Sequence, residues 1–218
     1  MSRPLLLVGA GGLAREVLAA ARALPESFEP VGLLDDDQAR HGSEVDGVPV
    51  LGPTDLVHEH TDAAVLVCVA SPARPDGRAN LVRRLGLPPE RYATLVHPMA
   101  SVAPGVTFGE GAVLLAGVVV TAPQRVGAHV VVMPHALFTH GDVIGDFVTC
   151  AGRATLSGDV TVAQSAYLGA GCVIRQGVHI GAKAVVGMGA VVLRDVPDGE
   201  TWAGVPAREL CESREEKT

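Results

Sequence analysis

The chain has 218 residues, enough to bury a sizeable core as one large domain or two small ones. Apolar residues make up 48% of it and aromatic ones only 3%, so the interior must be filled by Val, Ala, Leu and Ile, which suits a repetitive solenoid. The formal charge of −7 argues against a nucleic-acid surface, which would need a basic face, and an anionic ligand has to be held by local groups instead.

Cys68, Cys150, Cys172 and Cys211 lie far apart, with no C-x-x-C pair and no His at metal-finger spacing. That is the pattern of free thiols in a reducing cytoplasm rather than of a disulfide framework or a zinc module. Leu5 to Val8 runs straight into glycines with no basic segment before it, and no run of eighteen apolar residues occurs. The expectation is a soluble, cytoplasmic protein without membrane contacts.

At the N-terminus, Leu5-Leu6-Leu7-Val8 reads as a buried strand, Gly9-Ala10-Gly11-Gly12 as a tight turn, and residues 13–24 as a helix with Leu13, Val17, Leu18 and Ala21 on one face. A glycine turn feeding a helix N-terminus is an anion site, because backbone N–H groups and the positive dipole end face the ligand. A second strand over residues 31–34 ends in Asp35-Asp36-Asp37, and a third apolar run, 63–70, ends in Ser71. Strand ends carrying Gly, Asp and Ser line the crevice of an open α/β sheet. The segment fits the dinucleotide fingerprint loosely, with Asp35 where a ribose-binding acid is expected. About 95 residues make only one mononucleotide-binding half, so a nucleotide sugar suits the site better than NAD.

From Val102, steps of six reach Phe108, Leu114, Val120, Val126, Val132, Phe138, Ile144, Cys150, Leu156, Val162, Leu168, Ile174, Ile180, Val186 and Val192, all apolar. At this composition a single frame would do so by chance about once in 10⁵ trials. Four residues after each comes Val, Ala or Cys, except at Gln124 and Asp142. A period of six matches neither an α-helix nor plain strand alternation; it suits a triangular coil closed by three hexads. Glycines such as Gly109, Gly127 and Gly145 follow the large apolar residue, where they permit turn geometries that a Cβ would obstruct. The repeats resemble those of the hexapeptide-repeat acyltransferases, which implies a left-handed parallel β-helix over residues 102–197.

The segment G-A-G-G-L-A-R-E-V, the L-D-D turn after the second strand and a repeat region ending in G-V-P-A together resemble the sialic acid O-acetyltransferase and bacillosamine N-acetyltransferase (NeuD/PglD) family. The resemblance spans nearly the whole chain. It implies a Rossmann-like nucleotide-sugar domain over 1–96, an all-β left-handed β-helix over 97–211 and a frayed tail over 212–218. It further implies a homotrimer that takes acetyl-CoA as co-substrate between neighbouring subunits, needs no metal, and acetylates a UDP-linked amino sugar for surface glycans. The substrate side would be lined by Gly9, Gly11, Gly12, Leu13, Asp35, Asp36 and Ser71. Leu13 stands where family members commonly carry His.

Acyl transfer needs a base and an oxyanion donor, and histidine suits the first task. Of His129, His135, His140 and His179, His140 lies in F-T-H-G-D-V-I-G-D-F, similar to the family's H-[DE]-x-V-I-G-[DE]-F, whose His is the general base. The acid that follows it in relatives is Gly141 here. Asp142, one residue later, is the remaining candidate orienter, either displaced toward His140 or buried in the frame. A second family histidine corresponds to Thr149. Gly158 matches the glycine whose N–H faces the thioester carbonyl. Ala170, Gly171, Gly187 and Met188 are expected to wall the coenzyme, with Lys183 or Arg175 meeting its phosphates.

Three alternatives stay open. His135 is a backup base or a substrate-pocket residue. His135 and His140 together resemble the zinc-ligating pair of γ-class carbonic anhydrases, although no His lies at 114–122 to complete that site. A nucleotide-sugar or CoA-binding protein with weakened chemistry would also fit the changes at Leu13, Gly141 and Thr149. His97 is expected in a turn or inter-domain hydrogen bond, and His41, His58 and His60 in solvated loops.

Overall fold

The computed structural model describes residues 2–210; Cys211 and the 212–218 tail lie outside them. Leu5 to Val8 are fully buried, as a strand covered on both faces must be. This strand, β1 (Arg3–Val8), is followed by α1 (Gly12–Arg22), β2 (Phe28–Leu34), β3 (Glu44–Val45), β4 (Val48–Gly52), β5 (Ala64–Val67) and α2 (Gly77–Leu85). β1 lies between β2 and β5, parallel to both, and β4 extends the sheet beyond β2. Alternate residues of β1 serve opposite faces: Leu5 and Leu7 join Val17 and Leu18 of α1, while Leu6 and Val8 join Leu81 and Leu85 of α2.

Element limits shift where local hydrogen bonds decide them. Gly11 is extended and caps α1, so the helix starts at Gly12. It ends at Arg22, and Leu24 donates to the Ala21 carbonyl in a tighter closing turn. β2 reaches back to Phe28 because Phe28 pairs with Arg3. Neither the β3–β4 hairpin nor α2 stands out as a periodic signal in the sequence.

The repeat folds as a parallel β-helix. Each apolar frame residue ends a two-residue strand, and each strand pairs with those one coil away, as Val119 and Val120 do with Leu137 and Phe138. Three sheets result, and the turns between them stack into three edges. Residues 133–136 belong to the first edge, 139–142 to the second and 127–130 to the third, with equivalents every 18 residues. The frame begins one hexad before Val102, since Leu95–Val96 pairs with Val113–Leu114. It closes with Thr201–Ala203 beside Val185–Val186, after which Arg208–Glu209 folds back antiparallel.

The glycines after the large apolar residues serve close approach rather than a special φ. A Cβ on Gly109 would run into the backbone of Ala128 in the next coil, whereas the left-handed conformation falls two residues later, as at Gly111. Among the described residues, no helix is long and apolar enough to cross a membrane.

The α/β domain sits on the outer face of one β-helix sheet. Val113, Leu115 and Val131 share a buried cluster with Leu5, Leu7 and Val17. Beside it, Arg78 of α2 is 3% exposed. Its Nε donates to the His129 carbonyl at 2.8 Å, Nη1 to Val69 O at 2.6 Å, and Nη2 to Phe147 O, Val148 O and Thr149 Oγ1 at 2.8, 3.1 and 2.9 Å. Burial pushes its pKa down to about 10, so the guanidinium stays charged at neutral pH. His129 stacks on Phe147 and meets Tyr92 edge-on at the same junction. Removing the fork would strand buried carbonyls, each worth roughly 1–3 kcal/mol. Arg78→Ala should therefore lower the unfolding free energy by about 3 kcal/mol in a urea titration; a change below about 0.5 kcal/mol would show that the junction does not depend on it.

Candidate active site

His140 follows the inward-facing Phe138 by two residues and projects from the second edge, its side chain 65% exposed. Two residues of the next coil flank its ring. Asp159 Oδ1 lies 3.8 Å from Nδ1. On the other side a Cβ placed on Gly158 would stand 2.9 Å from both Cε1 and Nε2, so only glycine leaves the ring its place, and Gly158 also adopts a φ of +97°. The Gly158 carbonyl accepts from Gly177 N–H at 3.0 Å, while its own N–H has no acceptor among the described residues. Nδ1 thus faces a carboxylate, and Nε2 lies beside Gly158, whose backbone N–H is uncommitted among the described residues.

Asp142 does not orient His140. It points into the coil, 2% exposed, where Oδ2 accepts from Thr139 N–H at 2.9 Å and Oδ1 from Val160 N–H at 3.0 Å. Burial raises its pKa against those two hydrogen bonds. Its work is to pin the turn carrying His140 to the coil carrying Gly158. Gln124, the other exception in the apolar frame, lies one coil before it with both amide atoms buried and unpartnered, and Thr139 Oγ1 is also enclosed without a partner.

The other expected site residues scatter over the triangle. His135 stands exposed on the first edge, its ring over Gly117. A single chain therefore does not bring it to His140, because successive turns occupy different edges. No three His, Cys, Asp or Glu residues among those described group as a metal site. Ala170, Gly171, Gly187 and Met188 also lie on the first edge, with Met188 81% exposed. Arg175 shares the second edge with His140.

Two expected coenzyme contacts are otherwise engaged. Thr149 faces the α/β domain, 4% exposed, and accepts from Arg78. Lys183 sits on the third edge in an exposed ion pair with Asp76 at 3.2 Å. Both fall on the side that the α/β domain covers. His129 is buried, and desolvation lowers its pKa to about 4; His179 is exposed on an outer sheet face. His97 Nδ1 accepts from Met99 N–H at 3.0 Å, the turn bond expected of it.

In the α/β domain, a cleft of about 400 Å³ opens beside Ala10, Gly11, Gly12, Arg15 and Arg40. A Cβ on Gly11 or Gly12 would meet nothing within 4 Å, so the helix N-terminus is open to a ligand. Gly9 belongs to the turn's core, with Cys68 O close by, and Leu13 is half-buried against the hydrophobic cluster. Asp35 braces the turn: Oδ2 accepts from Ala10 N–H at 2.7 Å and Oδ1 from Asp37 N–H at 2.9 Å. His41 is not free in solvent, since its Nε2 meets Asp35 O at 2.7 Å. Asp36 turns away to Thr54 and Arg84; partial burial opposes its charge, but the donors from Arg84 and Thr54 hold the carboxyl below its usual range. With Ser71, Arg74 and Arg84 it lines a second cleft of about 610 Å³.

Comparison with known proteins adds to this geometry. Residues 4–84 match the PglD N-terminal domain, and residues 100–122 and 161–194 match the hexapeptide repeat of succinyl-transferase. A search of curated proteins finds no match. Among solved structures, the acetyltransferase domain of PglB from Neisseria gonorrhoeae, in complex with acetyl coenzyme A, is 31% identical with a TM-score of 0.83, over 96% of this chain and 100% of that one. WeeI from Acinetobacter baumannii is 29% identical with a TM-score of 0.82, over 96% and 100%. PerB from Caulobacter crescentus, in complex with CoA and GDP-perosamine, is 28% identical with a TM-score of 0.73, over 95% and 97%. With its α/β domain, its β-helix and this likeness along nearly its whole length, the chain belongs to the PglD-type family of hexapeptide-repeat sugar acetyltransferases.

Proposed function

We propose that this protein transfers an acetyl group from acetyl-CoA to the amine of a nucleotide-linked amino sugar, with His140 as general base. The observation that carries the reading is the second edge itself, where an exposed imidazole stands between a carboxylate near Nδ1 and Gly158 beside Nε2, whose N–H has no acceptor among the described residues. His140 Nε2 takes the proton of the attacking amine, and the Gly158 N–H faces the oxyanion that forms on the thioester carbonyl. As the C–S bond breaks, the same imidazolium returns the proton to the departing sulfur.

Transfer is direct. Cys68, Cys150 and Cys172 are buried, and desolvation pushes the thiols of Cys68 and Cys172 up to about 12, which leaves them poor nucleophiles. The acetyl group therefore has no cysteine carrier among the described residues.

A homotrimer explains the spread of the remaining residues. Met188, Gly171 and Ala170 stand exposed on the first edge and Arg175 on the second. A coenzyme lying between the first edge of one subunit and the second edge of its neighbour would meet both sets. The open glycine turn at Gly11 and Gly12 receives the diphosphate of the sugar nucleotide. The GDP-perosamine bound to PerB makes GDP-linked sugars a second series to test beside UDP-linked ones.

The test is thiol release from acetyl-CoA across UDP- and GDP-linked 4-amino sugars and sialic acids. The native protein should turn over with one acceptor class, and His140→Ala should lower kcat by about 10²–10⁴-fold. Coenzyme binding with no release for any acceptor would instead indicate a protein that has kept the site and lost the chemistry. In the same assay Gly158→Ala, whose Cβ would press on the imidazole and misplace it, should cost about 10²-fold in kcat while destabilising the fold by only about 1 kcal/mol. Equal activity would show that the imidazole does not depend on the space Gly158 leaves.

A further inference from the structure

His140 is followed directly by Gly141, which offers no side chain to orient the imidazole. The structure shows what stands in its stead. Gly141 has a φ of +71°, and a Cβ built there would collide with Oδ1 of Asp159 from the next coil. The room that a side chain at 141 would fill is occupied by the Asp159 carboxylate.

Asp159 is held there from several directions. Its N–H donates to the His140 carbonyl at 2.8 Å, fixing the two residues in register. Its φ of +53° is a left-handed conformation that Asp tolerates better than most residues. Gln176, one coil further along the same edge, donates from Nε2 to Asp159 Oδ2 at 3.1 Å. That leaves Oδ1 turned toward His140 Nδ1 at 3.8 Å. The other nearby carboxylate, Asp142, spends both oxygens on backbone N–H groups inside the coil.

We propose that Asp159, braced by Gln176, is the positioning residue for His140, its carboxylate filling the room that a side chain at position 141 would take. The inference rests on the acyl-transfer reading of this edge. Accepting the Nδ1–H fixes the imidazole as the tautomer whose Nε2 lone pair faces the substrate, the part a carboxylate plays in a catalytic triad. A small rotation of the exposed ring closes 3.8 Å to hydrogen-bond length, and such bonds are commonly long before substrate binds.

The experiment compares Asp159→Gly, Gly141→Asp and the double variant Gly141→Asp/Asp159→Gly in the full-length protein. Glycine suits the left-handed backbone at 159, so Asp159→Gly removes the carboxylate without backbone strain. It should lower kcat by about 10- to 100-fold with KM for acetyl-CoA within about two-fold and an unchanged melting temperature. Gly141→Asp alone should lose both activity and stability through its collision with Asp159. The double variant should regain kcat to within about three-fold of native, a rescue that a merely structural role for Asp159 would not give. Independently of turnover, nitrogen-15 NMR should show the His140 Nδ1–H tautomer in the native protein, its loss in Asp159→Gly and its return in the double variant. An unchanged tautomer together with kcat within about two-fold of native in Asp159→Gly would overturn the proposal. If no acceptor supports turnover, the tautomer alone decides: its loss in Asp159→Gly sustains the positioning role while the acyl-transfer reading falls, and its persistence overturns the positioning role.

Discussion

Parallel pairing of residues 18 apart is the constraint on which the rest of the protein depends. Each two-residue strand is too short to be stable alone, and it is held because its inward residue and both neighbouring coils are fixed together. That register decides which side chains meet on an edge. Asp159 reaches His140, Asp142 reaches Val160 and Gln176 reaches Asp159, in each case across a single coil boundary. A one-residue slip anywhere before Val160 would turn the apolar frame outward and dissolve the site at the same time. Stability and function share one geometric requirement here.

The second organising contact is Arg78, which joins the two domains. A buried guanidinium without a carboxylate partner is costly unless its donors are satisfied, and here it meets four carbonyls and a hydroxyl. These carbonyls come from both domains, so the α/β unit is seated at a fixed height along the β-helix. The seating covers Thr149 and pairs Lys183 with Asp76. It leaves the second edge, with His140, uncovered. The domain junction therefore helps to choose which edge remains free for chemistry.

Much of this was legible in the sequence because the signals were periodic or local. The sixteen-position apolar frame determines the coil, and the strand, glycine turn and helix from Leu5 to Leu24 are contiguous. What failed did so for physical reasons. Asp142 breaks the frame, and a break does not reveal whether a carboxylate turns inward to backbone donors or outward to a ring. Asp159 is hard to single out in the sequence, because it lies a full coil from His140 and only stacking brings it there. The space left by Gly141 was the signal that could have pointed to it. Sequence does not show which β-helix sheet the α/β domain covers, so it does not reveal that Thr149 and Lys183 face that domain. His135 and His140 are five apart in sequence, yet consecutive turns of a triangle face different directions, so within one chain they stand on separate edges.

The central claim is that acyl transfer occurs at the edge where His140, Gly158 and Asp159 converge. A crystal structure of the native protein with CoA tests it most directly. The account predicts the coenzyme sulfur within about 4 Å of His140 Nε2, a distance at which a thiol can share its proton with an imidazole, on the side of the Gly158 N–H. A sulfur lodged at the first edge of the same chain, beside His135 and away from His140, would contradict it.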